Sequence, residues 1–180
     1  MKKLVVALVL VFSASFVFAS GNSQDTVLTR KEKRQAEAAQ QYALTKSMIE
    51  NKDFVLESNS LDNRYGYRFI VNPSINFVMV DNNQAVIQIG SNYGLGANGV
   101  GGVTAKGNIT RWDVTKNKDQ ESYNIFMVVS TPIGTYDLNF DVRSGGQASA
   151  RLSGLRPGHL TFNGNLIPIS DSRVYEGWSI

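Results

Sequence analysis

The chain has 180 residues, with 18 Lys and Arg against 15 Asp and Glu, one His and no Cys. The lack of cysteine excludes disulfide-stapled scaffolds, thiol catalysis and Cys-built metal centres. The small positive excess excludes the broad basic footprint of a nucleic-acid binder.

The first segment, MKKLVVALVLVFSASFVFAS, reads as an export signal. Lys2 and Lys3 precede an apolar run from Leu4 to Phe18, and Val17 and Ala19 occupy the −3 and −1 positions of a cleavage site. The run of about 15 residues is short for a membrane span of about 20, so a retained anchor is the weaker reading. Cleavage after Ala19 predicts a periplasmic or secreted protein with no membrane span. It leaves 16 basic against 15 acidic side chains. The polar stretch Ser20–Leu28 is expected to be a flexible leader. Residues 29–180 then form one domain, long enough to bury its own core.

Thr29 and Glu32 have the spacing of a helix capping box. Ala36, Ala39, Tyr42, Ala43, Lys46 and Ile49 succeed them on one helical face, predicting a helix over 30–50. Its opening RKEKR reads as a solvated face, with a membrane-surface role as the rival.

After Asn51 the apolar period changes to two. Strands are expected at Phe54–Ser60, Tyr67–Val71, around Phe77 and Met79, over Gln84–Gly90, Val103–Val114, Tyr123–Ser130, Thr135–Val142, Ala148–Leu152 and Leu160–Ile167. Asp81-Asn82-Asn83 makes a hairpin turn. The apolar face slips between Ile109 and Trp112, which predicts a bulge. The run Tyr123–Ser130 is apolar on both faces and so predicts a strand covered on both sides. Short connections between consecutive strands favour an antiparallel up-and-down, lipocalin-like β-barrel of about eight strands with one N-terminal α-helix. A β-sandwich is the alternative.

Gly94, Gly96 and Gly99 spell G-x-G-x-x-G within GSNYGLGANGVGG. A dinucleotide site needs a helix opening at the third glycine to present its N–H groups to the pyrophosphate. Beyond Gly99 the chain is rich in glycine and β-branched residues, so the stretch reads as a strand-to-strand excursion with Tyr93 as its aromatic.

The segments NFVMVDNNQAVIQIGSNYGLGANGVGGVTAKGNITRW and HLTFNGNLIPISDSRVYEGWSI resemble the hairpin core and the ending of an exported bacterial family, domain of unknown function 4251. The helix leading into Asp53-Phe54-Val55-Leu56-Glu57 fits the same pattern. The resemblance implies a lipocalin-like barrel and occurrence in Bacteroides-like bacteria. It carries no activity, cofactor or catalytic residue.

The residues show no catalytic constellation. His159, the single histidine, sits beside Pro157 and Gly158 in a turn. Asp137 and Asp141 share a strand face about 13 Å apart at about 3.3 Å per residue, too far for a glycosidase pair. Acids brought together from different strands remain open on sequence alone, as does an oxygen-ligand site for calcium. No cofactor or metal site is expected. Candidate binding residues are Arg64, Arg68, Tyr93, Arg111 and Trp112, whose aromatic and cationic chemistry suits an amphiphilic or anionic ligand at a barrel mouth. In Arg64-Tyr65-Gly66-Tyr67-Arg68 the two arginines are expected on one strand face. The reading is a non-enzymatic exported protein that binds a small apolar or amphiphilic ligand or associates with an envelope protein. Alternatives are an interaction module with a filled barrel and, behind it, a hydrolase.

Overall fold

The structure, a computed structural model, describes residues 29–91, 98–117, 121–155 and 158–179. The expected signal and leader lie outside the described residues, as does Tyr93.

Helix α1 (Arg30–Asn51) starts where the sequence places its cap. The Thr29 hydroxyl accepts from the Glu32 N–H at 3.3 Å, and the Glu32 carboxylate accepts from the Thr29 N–H at 2.8 Å. That backbone bond holds the Glu32 carboxyl below its ordinary range. The helix stops at Lys52, whose φ of 53° is left-handed. Thr45, Met48 and Ile49 are its buried residues, whereas everything from Arg30 to Gln41 is exposed. Half the helix therefore stands clear of the domain.

The strands are β1 (Asp53–Asn63), β2 (Arg68–Ile70), β3 (Phe77–Asp81), β4 (Gln84–Ile89), β5 (Val103–Asn117), β6 (Ser122–Thr131), β7 (Gly134–Val142), β8 (Gln147–Leu155) and β9 (Gly158–Ile167). From β3 onward each pairs antiparallel with the next, β1 pairs β3, and β9 returns to β1. That last pairing closes an eight-stranded barrel and rules out the sandwich. The short β2 adds to β1 over Ser60–Asp62. Asn82 makes the β3–β4 turn at φ 52°, and the register shifts between Ile109 and Arg111, where the bulge was expected.

Alternation explains the core. Ile125, Met127 and Val129 of β6 and Leu138, Phe140 and Val142 of β7 all point inward and are buried. Phe54 lies edge-on to Phe140 at 5.9 Å and tilted against Trp112 at 6.3 Å. Met48 and Ile49 join the same cluster, so the end of α1 plugs one end of the barrel.

A second apolar cluster lies on the outside. Val55, Phe77 and Val86 point away from the lumen yet are buried, packed with Met79, Ile169 and Val174. Their cover is the segment after β9, a 3-10 turn (Ile169–Asp171) continuing to residue 179. It is tied down along its length: Ser172 donates to Glu57 at 2.7 Å, the Tyr175 N–H to Ser74 O at 2.8 Å, and the Trp178 N–H to Asn98 O at 3.0 Å. The Lys106–Glu176 ion pair, at 3.0 Å, is a partly exposed addition.

Under this strap lies a polar lock. Gln88 is fully buried; its amide donates to Ile75 O (3.1 Å) and Tyr175 O (2.8 Å), and its oxygen accepts from Thr104 (2.8 Å) and the Gly177 N–H (2.7 Å). Asn98 donates to Thr104 at 3.1 Å and accepts from the N–H groups of Val100 and Gly102. The Asn-Gly-Val-Gly-Gly stretch thus positions the strap, and no helix opens at Gly99: the chain turns and enters β5.

The expectation of a doubly covered strand over Tyr123–Ser130 is therefore corrected. Outward Phe126 and Val128 of β6 are only partly buried, and it is β1, β3 and β4 that are covered on both faces.

Among buried side-chain polar atoms of the described residues, the Ser58 hydroxyl lacks a partner. A buried unpaired hydroxyl costs stability, so Ser58→Ala should leave stability unchanged or raise it by up to about 1 kcal/mol, read as an equal or higher melting temperature. A fall of similar size in a thermal melt would show that the hydroxyl has a partner.

Candidate functional site

Among the described residues, inward side chains such as Phe54, Met127, Leu138, Phe140 and Phe162 pack into one cluster within the lumen. An apolar recess between Ile87, Ile89, Val103, Ala105, Tyr136 and Leu152, at the end away from α1, measures about 80 Å³. Ligand pockets run from about 300 Å³, so this recess is no lipocalin-type cavity.

A larger space lies where α1 meets the barrel. The last turns of α1 and the long ends of β5 and β6 bound a cleft of about 550 Å³. Its floor is apolar: Ile49, Trp112, Val114 and Tyr123. Its rim carries Lys46, Lys52 and Lys116, with Glu50 the one carboxylate among the lining residues. Helical spacing brings Lys46 and Ile49 to one side, and the inward slip after the β5 bulge brings Trp112 to the other.

The ammonium of Lys52 stands over the Trp112 ring at 5.2 Å and that of Lys116 over Tyr42 at 5.2 Å. Ring faces attract cations but carry no net charge, so they do not neutralise either ammonium; Glu121 and Glu50 act on Lys116 through their charge. Glu50 pairs with Lys46, at 3.7 Å on an exposed helix face. Tyr42 and Tyr123 stack at 6.2 Å, their hydroxyls 3.1 Å apart. The Lys116 ammonium beside Tyr42, with the Tyr123 hydroxyl, holds the Tyr42 phenol below its usual range, and Lys116 is raised in turn by Tyr42. Burial, then Tyr42, pushes Tyr123 up.

The structure does not assemble the sequence candidates into one site. Trp112 lines the cleft. Arg111, its neighbour, faces outward, pairing with Asp113 at 2.6 Å and lying over Phe126 at 4.8 Å. Arg64 and Arg68 sit at the opposite end and do not share a strand face. Gly66, at φ 82°, folds residues 64–67 into a turn between β1 and β2. Arg64 bonds and lies over Tyr65, whereas Arg68 grips Asp62 with two bonds of 2.8 Å and holds that carboxyl below its usual range. Sequence alone does not single out the cleft lysines, because isolated lysines at strand and helix ends read as solvated. The signal available for them was Tyr42, Lys46 and Ile49 sharing one helical face.

His159 lies 3.2 Å from Arg151 on the exposed surface. Asp137 and Asp141 are exposed on the outer face of β7. Among the described residues, no group of three or more His, Asp or Glu is placed to hold a metal ion, and no helix is long and apolar enough to cross a membrane.

Comparison with known proteins bears on the whole domain. No curated protein matches the sequence. A solved structure, a DUF4251 family protein from Bacteroides eggerthii DSM 20697, is similar with a TM-score of 0.64 at 25% identity, over 77% of this chain and 94% of that one. The family model for the domain of unknown function DUF4251 matches residues 36–166, from the exposed half of α1 to the end of β9. The chain belongs to the DUF4251 family.

Proposed function

We propose that this is a non-enzymatic binding protein of the bacterial envelope, exported by its N-terminal signal. Its ligand is a small amphiphile with an anionic head, held outside the barrel in the cleft beside α1. The observation that carries the reading is the cleft: an apolar floor of Ile49, Trp112, Val114 and Tyr123 under three lysines, in about 550 Å³. An acyl or aryl body would cover Trp112 and Val114, and its carboxylate, sulfonate or phosphate would meet Lys52 and Lys116.

The test uses Trp112 as reporter. The chain has two tryptophans, so a Trp178→Phe background isolates it. Anilinonaphthalene sulfonate should quench Trp112 emission saturably, and the uncharged N-phenylnaphthylamine should bind more weakly. Lys52→Glu with Lys116→Glu should weaken the sulfonate by at least about tenfold, the equivalent of one charged hydrogen bond. Unchanged affinity in that variant would remove the cleft from consideration.

In that event the second reading, an interaction module with a filled barrel, gains. It is favoured by Tyr175 and Trp178, which are 62% and 78% exposed on a backbone pinned to Gln88, Ser74 and Asn98. Rigid exposed aromatics are typical contact anchors.

A further inference from the structure

The outside of a barrel is ordinarily convex, yet across β7, β8, β9 and β1 there is a groove of about 520 Å³. Its concavity has a local cause. Outward Ser60 and Ser149 make the floor together with the backbone at Ala148 and Gly164, a row whose side-chain positions face the lumen, and longer side chains stand on either side. The register sets Asp141, Ser149, Asn163 and Ser60 directly opposite one another, one from each of four adjacent strands. A second row, Gln147 opposite Asn165, runs beside it.

We propose that this groove is a saccharide-binding site, distinct from the cleft beside α1 and independent of it. The chemistry of the lining selects the ligand class. Amide, hydroxyl and carboxylate groups offer donors and acceptors side by side, as vicinal sugar hydroxyls require. An apolar ligand finds no floor to cover. Asp141 and Arg143 both line the groove, so its charge is mixed and selects no simple anion, and Arg68 already spends both bonds on Asp62. An extended peptide finds no free strand edge, because β7, β8, β9 and β1 are all paired on both sides here.

One wall is preorganised. Asp62 accepts from Arg68 and, at 3.0 Å, from the Asn163 amide. That contact fixes the orientation of Asn163, which lowers the ordering cost of binding. The rows cross the strands, whose spacing of about 4.8 Å is close to the length of one pyranose unit in an extended chain. A neutral β-1,4-linked oligosaccharide laid along the row meets one polar side chain per sugar at Asp141, Ser149 and Asn163, while Ser60 at the end of the row is buried.

The experiment is saturation-transfer NMR of the full chain with cellotetraose. Transfer to sugar protons is expected. Ser149→Tyr, which fills the groove from an outward position, should weaken binding by at least about tenfold, and Asn165→Ala, which removes one exposed amide, by about fivefold. Lys116→Glu should leave it unchanged. Thermal melts of all three variants report folding separately. Absence of transfer to cellotetraose with the folded parent protein would overturn the proposal. So would equal transfer in a folded Ser149→Tyr variant, or loss in Lys116→Glu.

Discussion

Replacing Gln88 by alanine is expected to lower the stability of the domain by about 3–5 kcal/mol, and to loosen the C-terminal strap before the barrel melts. Gln88 sits on a strand position that alternation assigns to solvent, yet it is fully buried and makes four hydrogen bonds. Truncation leaves the Gly177 N–H and the Thr104 hydroxyl without their acceptor and the carbonyls of Ile75 and Tyr175 without their donor. It also opens a void where the amide stood. Each buried orphan costs about 1–3 kcal/mol, partly recovered if the strap lifts and water enters. Urea denaturation measures the total, and amide hydrogen exchange at Tyr175, Gly177 and Trp178 reads the strap. Gln84→Ala, on the same strand but exposed, is the control and should stay within about 0.5 kcal/mol. Equal midpoints for the two variants would show that the lock contributes nothing.

Gly164→Ala should be strongly damaging for a single added methyl, at least about 3 kcal/mol. A Cβ at this position would lie 1.9 Å from Glu57 O and 2.9 Å from the Ser58 Cα. Both are backbone atoms of β1, so no side-chain rotation relieves the contact; the β1–β9 seam itself must open. The register shift between Ser58 and Ser60 sits at this same point, which marks it as the corner where the sheet bends to close. Gly145→Ala, with nothing within 4 Å of its new methyl, should be nearly neutral. Unfolding of the two variants at the same urea concentration would show that β1 and β9 do not approach closely at Gly164.

Much of the architecture was legible because it is local. The capping box of Thr29 and Glu32, the alternation of Tyr136, Leu138, Phe140 and Val142, the turn at Asn82 and the slip after Ile109 each leave a pattern within a few residues. Closure of β9 onto β1 leaves none, since pairing partners such as Leu56 and Leu166 are far apart in the chain. The strap was hidden for a related reason. Its clue was the uninterrupted apolar runs Phe54-Val55-Leu56 and Phe77-Val78-Met79-Val80, too apolar for strands with a wet outer face. Of the candidate binding residues, Trp112 faces the cleft because the bulge turns it there. The single strand face expected for Arg64 and Arg68 fails because Gly66 reads equally as a strand residue or a turn, and only its positive φ decides. The cleft lysines depend on which helix face meets which strand ends, a matter of docking that side-chain periodicity does not encode.

The β1–β9 seam has a further consequence for how the molecule comes into being. The strand made first must wait for the strand made last, so no shorter fragment of the chain owns a finished barrel. Until synthesis passes Ile167, β1 and the growing end of the meander present bare hydrogen-bonding edges, which are sticky toward copies of themselves. The nascent chain therefore gains from being kept extended and escorted until its final strand emerges, after which the ring can shut in a single late step.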